Sequence, residues 1–329
     1  MILAGDVGGT STRLAFFNVE GGRLKLAVEQ TYPSRDHGSL DEILRVFIST
    51  HQQAADCAAF GIAGPVRRGR VETPNLSWVV EAESLERELG LKSIGLINDL
   101  EANAYGIATL AEEDFEVLNA GAPDATGNAA VISAGTGLGE AGLFWDGARH
   151  HPFACEGGHA DFSPRNEIEI ELLRYLLGRF GHVSWERVVS GPGLYSIYEF
   201  LRDTGRGEEP AWLAAEVRQN DPSLVVSQHG LQNAAPICVE ALDLFVSLYG
   251  AEAGNLALKM MATGGIYLGG GIAPKIAGKL KDLSFMAAFV NKGRFKSLLG
   301  DIPVRVILND KTALFGAARY AALQASLIS

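Results

Sequence analysis

The chain has 329 residues, 47% apolar and 20% charged, which excludes a disordered polymer and is long enough for two cores. A formal net charge of −11, with no run of five or six basic residues, excludes a sequence-independent nucleic-acid binder. Cys57, Cys155 and Cys238 are odd in number and far apart, which points to a reducing compartment rather than a disulfide framework.

The N-terminus has no basic region of the kind a signal peptide carries. The most apolar long run, residues 260–273, is broken by five glycines and falls short of a ~20-residue span. The expected protein is therefore cytoplasmic and has no membrane segment. Residues 2–17, ILAGDVGGTSTRLAFF, place two apolar runs around a turn built from Gly5, Asp6, Gly8, Gly9 and Thr10. Strand, glycine turn, strand is a hairpin pattern in which the glycines are expected to supply positive φ. Such a turn exposes backbone N–H groups to an anion, phosphate above all, or is simply a flexible tip. Asp6 suits Mg²⁺ held through water, because Mg²⁺ dehydrates reluctantly and takes one or two carboxylates plus phosphates. No G-K-[ST] follows, and a strand rather than a helix comes next, so neither a Walker loop nor a dinucleotide fingerprint fits.

Residues 24–28 read as a third strand, 40–55 as a helix and 58–62 as a buried strand, an α/β order. Residues 94–97 read as a strand whose end carries Asn98 and Asp99, ahead of a helix over 100–110. Ligands of α/β sheets lie at such carboxyl ends, although Asp99 could equally cap the helix. Residues 130–145, AVISAGTGLGEAGLFW, repeat the hairpin layout around Gly135, Thr136, Gly137 and Gly139. Two such hairpins about 130 residues apart predict a duplicated fold, each half offering a phosphate loop to a shared cleft.

The run RHHPFACEGGHAD, residues 149–161, has one cysteine and lacks the paired spacing of a zinc site. A Gly157–Gly158 turn brings Glu156 and His159 together, which suits a polyhydroxylated ligand better than a metal. A helix is expected over 168–180, with Ile168, Leu172, Leu173, Leu176 and Leu177 on one face. Glu186 then precedes a Val-Val pair and a Gly-Pro-Gly break, either as a ligand or as a solvated carboxylate. Residues 203–235 read as surface helices, and 242–258 as an apolar helix in which Gly250 and Gly254 permit close backbone contact. Residues 266–268 form a strand entering a triple-glycine loop, where Gly270 and Gly271 either pass close to adenine or make a sharp turn. Residues 303–308 and 312–327 are the last strand and helix.

These motifs together, GDVGGTSTR, IND (97–99), GTGLG (135–139), EGGHADF (156–162), ERVVSGPG (186–193), GGGIAP (269–274), NKGRF (291–295) and DIPV (301–304), resemble the bacterial ATP-dependent glucokinase family, within the sugar-kinase, Hsp70 and actin superfamily. The resemblance spans essentially the whole chain. It implies a two-domain actin-like ATPase (ribonuclease H-like) fold with duplicated mixed-sheet halves around a cleft. The expected domains are residues 1–110 plus 312–329, and 111–311, with hinges near 110–111 and 311. It also implies phosphoryl transfer from MgATP to the 6-hydroxyl of D-glucose, with Asp99 as base. By the same resemblance glucose is expected to be held by Asn98, Asp99, Glu156, His159 and Glu186, nucleotide by the two glycine hairpins, Ser11 included, and the GGG loop, and Mg²⁺ by Asp6. Homodimers are usual among similar kinases, so a homodimer is expected. Ser11 stands where the family usually has Asn, which predicts a quantitative effect only. The related repressor and kinase family with a Cys-rich zinc motif is a poorer match, because those cysteines are absent. Alternatives are a kinase for another hexose or an N-acetylated sugar, and a non-catalytic sugar- or nucleotide-binding module on the same scaffold.

Overall fold

The computed structural model describes residues 1–73, 76–91 and 93–328. The first elements are β1 (Ile2–Val7), β2 (Ser11–Glu20), β3 (Arg23–Pro33), α1 (Leu40–His51), β4 (Cys57–Ile62), β5 (Arg70–Glu72), β6 (Val79–Glu81), α2 (Ala82–Leu89), β7 (Ile94–Asn98) and α3 (Asp99–Ile107). Next come β8 (Phe115–Asn119), β9 (Ala129–Ala134), β10 (Leu138–Trp145), β11 (His150–Cys155), α4 (Glu167–Phe180), α5 (Gly191–Asp203), α6 (Ala211–Gln219), α7 (Pro222–Leu231) and α8 (Pro236–Met260). The chain ends with β12 (Gly265–Gly269), α9 (Ala277–Leu280), α10 (Leu283–Val290), α11 (Lys296–Gly300), β13 (Val304–Ile307) and α12 (Thr312–Gln324). Two units emerge: Met1–Asp114 with His151–Ala154 and Asn309–Ser329, and Phe115–His150 with Cys155–Leu308.

The first unit is built on a sheet of order β3-β2-β1-β4-β7. β1 pairs antiparallel with β2 and parallel with β4, and β4 pairs parallel with β7. β1 and β4 are inner strands covered on both faces, so they read as nearly continuous apolar runs. One face packs Leu3, Phe16 and Phe60 against α1 residues Ile43, Leu44 and Phe47. The other packs Ile2, Ala4, Phe17 and Ala59 against Leu314, Ala317, Ala318 and Ala321 of α12.

The second unit contains the order β10-β9-β12-β13-β8. Here β9 pairs antiparallel with β10 and parallel with β12, and β12 pairs parallel with β13. The directions of β10-β9-β12-β13 match those of β2-β1-β4-β7, so the expected duplication of mixed-sheet halves is present. The core gathers around α8, a 25-residue helix that places Gly250 and Gly254 against α10. A Cβ on Gly250 would lie 2.2 Å from the Phe285 carbonyl, and one on Gly254 would lie 2.4 Å from that of Phe289. The close backbone contact expected from this pair is there. No single helix among the described residues is long and apolar enough to cross a membrane.

Several boundaries differ from expectation for local reasons. α1 stops at His51, not residue 55, because Gln52 adopts left-handed φ at 51° and its N–H closes onto the Ile48 carbonyl. Gly191–Pro192–Gly193 is not a break but the first turn of α5, capped by Ser190 Oγ on the Gly193 N–H at 3.0 Å. Leu177 is 46% exposed, so the buried stripe of α4 is carried by Leu172 and Leu176.

Candidate active site

In the first unit the hairpin register places Asp6 opposite Arg13 and Val7 opposite Thr12. Gly5 and Asp6 therefore belong to β1, and the turn itself is residues 8–10. Neither Gly8 nor Gly9 takes left-handed φ, so the expectation of positive φ here is overturned. Gly5 is needed for space instead, since a Cβ there would fall 2.6 Å from Phe60 Cδ1. The loop is braced by Ser34, whose hydroxyl donates to the Gly8 carbonyl at 2.7 Å and whose N–H donates to the Thr10 carbonyl at 3.0 Å. Thr12 Oγ1 lies 2.9 Å from Ser34 Oγ in the same buried cluster. Drawing two carbonyls toward Ser34 takes acceptors away from the opposite side of the loop, which favours an anion there.

Asp6 is half-buried, and no hydrogen bond reaches its carboxyl among the described residues. Burial pushes it from 3.8 up to about 6, with Arg13 opposing the rise and Asp310 adding to it. Arg13 is itself held by Asp310, at 3.0 Å to Oδ2 and 3.1 Å to the carbonyl. A desolvated carboxylate whose own partner is shared with a second acid fits a hard cation that keeps its waters. The native state binds the Asp6 proton more tightly than the unfolded chain does, so stability falls as pH rises from about 3.8 to about 6. The cost is fully present above about 6. Asp6→Asn should therefore raise the thermal midpoint of the metal-free protein at neutral pH and flatten that acid-side slope. Differential scanning calorimetry from pH 4 to 8 checks both.

β7 delivers Asn98 and Asp99 to the start of α3. Asn98 is the cap: its Oδ1 accepts from the N–H groups of Leu100 at 2.9 Å and Glu101 at 3.4 Å, and its Nδ2 donates to the Gly64 carbonyl at 3.1 Å. Asp99 is the first helical residue, half-buried, with Oδ1 accepting from the Leu100 N–H at 2.9 Å. The capping role that Asp99 might have filled thus belongs to its neighbour. Asp6 pairs in register with Gly61, and Gly61 with Ile97, so Asp6 and the β7–α3 junction share the carboxyl end of the parallel strands β1, β4 and β7. At ~4.8 Å per strand the two positions lie roughly 10 Å apart. A Cβ on Gly61 would sit 2.6 Å from Ala102 Cβ, so glycine lets α3 lie close over β4.

The second unit gathers three motifs. Residues 135–137 turn between β9 and β10, closed by the Gly135 N–H on the Gly137 carbonyl at 2.9 Å. Gly270, at φ 80°, is pressed against β9 so closely that a Cβ would lie 2.4 Å from the Ala134 carbonyl. Gly271 is exposed, with nothing within 4 Å of its Cβ position. Glu186 is not a solvated helix-start carboxylate. Its Oε2 accepts from the Leu138 N–H at 3.1 Å, and a Cβ on Gly137 would fall 2.5 Å from that oxygen. With Thr136, Arg187, Ser190 and Pro192 it lines a cavity of about 60 Å³.

The Gly157–His159 turn is closed by the His159 N–H on the Glu156 carbonyl at 3.1 Å. Both end side chains, Glu156 and His159, are exposed. The loop is tied to Glu186 by the Trp185 N–H on the Ala160 carbonyl at 3.0 Å. His150 turns elsewhere, its Nε2 3.0 Å from the Gly127 carbonyl and its ring on Trp145. The structure thus joins Glu156, His159, Glu186 and residues 135–137 within one unit, and Asp6, the 8–11 loop, Asn98 and Asp99 within the other. Ser34, Arg13 and Asp310 were missed from the sequence. Arg13 alone had a signal, lying inside GDVGGTSTR.

The sequence matches the glucokinase family profile over residues 3–324. A glucokinase of Nostoc punctiforme is 41% identical over 337 residues, covering 98% of this chain and 99% of the relative. One from Synechocystis sp. is 42% identical over 348 residues, covering 97% of each. Among solved structures, glucokinase from an Antarctic psychrotroph superimposes with a TM-score of 0.84 at 29% identity, covering 98% of each chain. A ROK family glucokinase from Streptomyces griseus, in complex with glucose and AMPPNP, shares the fold at a TM-score of 0.65 and 20% identity. The duplicated mixed sheets are those of the actin-like ATPase fold, and with the paired glycine hairpins and the Asn98–Asp99 junction they carry the same conclusion as the matches: the chain belongs to the glucokinase family.

Proposed function

We propose that the chain transfers the γ-phosphoryl group of ATP to the 6-hydroxyl of D-glucose, giving glucose 6-phosphate and ADP, with Asp99 as general base. The observation that carries this reading is the division of labour at the β7–α3 junction. Asn98 caps the helix, and Asp99 stands beside it at the carboxyl end of the parallel strands, which also bears Asp6.

Asp99 accepts the proton of the 6-hydroxyl as that oxygen attacks phosphorus, and the bond to the ADP oxygen breaks. Positioning and charge stabilisation supply most of the acceleration in such transfers. The backbone amides of residues 8–11 and 135–137 hold phosphate oxygens, and Gly270 and Gly271 lie along the adenosine. Asp6 would hold Mg²⁺, through water, and an ion bound there would supply positive charge beside the phosphates. Glu156, His159 and Glu186 pair with sugar hydroxyls, as does the second N–H of the Asn98 amide. The product feeds glycolysis in the cytoplasm, and the enzyme works as a homodimer whose mass light scattering reads.

A coupled assay with glucose, fructose, mannose and N-acetylmannosamine, using ATP and then polyphosphate, tests the reading. Glucose with ATP should be turned over fastest, and preference for another sugar would replace glucose as the substrate. Glu156→Gln should raise the glucose KM by about 10–100-fold, the value of a hydrogen bond to a charged group, with the ATP KM near wild type. Glu186→Ala should raise both constants, because the Leu138 N–H beside the glycine loop loses its acceptor. Steady-state kinetics in both substrates separates the two patterns.

A further inference from the structure

Beneath the Glu156–His159 turn lies a buried polar cluster that the phosphoryl transfer does not use. Glu140 on β10 is 1% exposed and Glu252 on α8 is 0% exposed, and the two carboxyls face each other. Glu140 Oε2 lies against the loop, where a Cβ on Gly157 would fall 1.8 Å from it. The next glycine is seated the same way, a Cβ on Gly158 meeting the Leu138 carbonyl at 2.0 Å. The Gly157 N–H is turned to the Cys155 sulfur. Both glycines of the motif therefore rest directly on residues 138–140.

On its far side Glu252 accepts from Asn255 Nδ2 at 2.7 Å and Lys259 Nζ at 3.2 Å. Lys292, from the NKGRF run, donates to the Ala251 carbonyl at 2.9 Å and to Asn255 Oδ1 at 2.5 Å. The chain of contacts thus runs from Lys292 through α8 to the loop.

We propose that Glu140 is a positioning residue for glucose, its carboxyl forming the seat on which Gly157 rests and so fixing where Glu156 and His159 stand. The proposal rests on the reading that Glu156 and His159 bind the sugar. Glu140 Oε1 has no hydrogen-bond partner among the described residues, and a proton shared with Glu252 supplies one. Burial first, then the Glu252 charge, push Glu140 up to about 8, with Lys259 opposing. The groups that face it are Glu252, Lys259 and Tyr249 on α8 and Cys155 beside the loop. Losing the shared proton sets two buried carboxylates against each other directly under Gly157.

The test measures glucose and ATP KM from neutral pH to pH 9.5 for wild type, Glu140→Ala, Glu140→Gln and Glu156→Gln. Glu140→Ala is expected to raise the glucose KM at least roughly tenfold, as small misplacements of binding groups do, with the ATP KM near wild type. Glu140→Gln keeps the shape and a hydrogen bond to Glu252. It should recover most of that loss and abolish the rise in glucose KM expected of wild type above about pH 8. A raised KM in Glu156→Gln beside an unchanged one in Glu140→Ala overturns the positioning role alone. An unchanged KM in Glu156→Gln overturns the sugar-loop reading and the proposal with it. If Glu140→Ala does not fold, an alkaline rise in KM that persists in Glu140→Gln overturns the proposal.

Discussion

Asp99→Asn should lower kcat by about 10²–10⁴-fold, the range that general-base help supplies, and leave glucose binding nearly intact. At 1.36 kcal/mol per tenfold this is about 3–5 kcal/mol of transition-state stabilisation. Asparagine has nearly the same shape and can still accept from the Leu100 N–H, while Asn98 continues to cap α3. The substitution therefore removes basicity without disturbing the helix start. A coupled assay gives kcat and isothermal titration gives the glucose Kd. Near-normal turnover in this variant would end the assignment of Asp99 as base.

The largest effect on stability should come from Gly316→Ala, at the crossing of α12 and α3. α12 crosses α3 through two glycines, each facing the other helix's backbone. A Cβ on Gly316 would lie 1.7 Å from the Ala102 carbonyl oxygen, and one on Gly106 would lie 2.0 Å from that of Thr312. In an isolated helix alanine would gain about 1 kcal/mol over glycine. Here the obstacle is main chain, which cannot swing aside as a flexible side chain can. The overpacking cost of about 1–3 kcal/mol, at the upper end for a backbone obstacle, outweighs that gain. The thermal midpoint of the first unit should drop by several degrees, roughly 2–4 °C per kcal/mol in a unit of this size. Because α3 carries Asp99 on its first turn, kcat should fall as well. A midpoint at or above wild type would show that the helices can separate freely.

How much was visible in the sequence depended on whether a feature is local. Both hairpins, the β7–α3 junction and the Gly250–Gly254 contact follow from apolar periodicity and glycine placement, and they were legible. The Gly157–Gly158 turn was legible as a turn for the same reason. What sits beneath it was not, because Glu140 and Glu252 meet only after β10 and α8 have packed. Ser34 braces the first loop from the far end of β3, and nothing in its neighbourhood marks it. The glycines of the hairpins were read with the wrong reason: slimness, of Gly5 in β1 against Phe60 and of Gly137 in the second turn against Glu186, rather than left-handed φ, is what the folded chain requires. Asp99 and Asn98 were both read as ligands, and only the hydrogen bonds show which of them holds the helix.

The first unit is closed by α12, whose Leu314, Ala317, Ala318 and Ala321 cover Ile2, Ala4 and Phe17. On the ribosome that face of the newborn sheet must stay bare while residues 115–308 are made. At ~5–20 residues per second the wait is roughly 10–40 s, longer than most domains need to fold. The middle of the polypeptide can thus mature before its beginning does, and a message cut before codon 312 yields a product without α12 and with an uncovered, sticky sheet. Truncation at the carboxyl end should for that reason be punished by aggregation and proteolysis, although no ligand-binding group is lost.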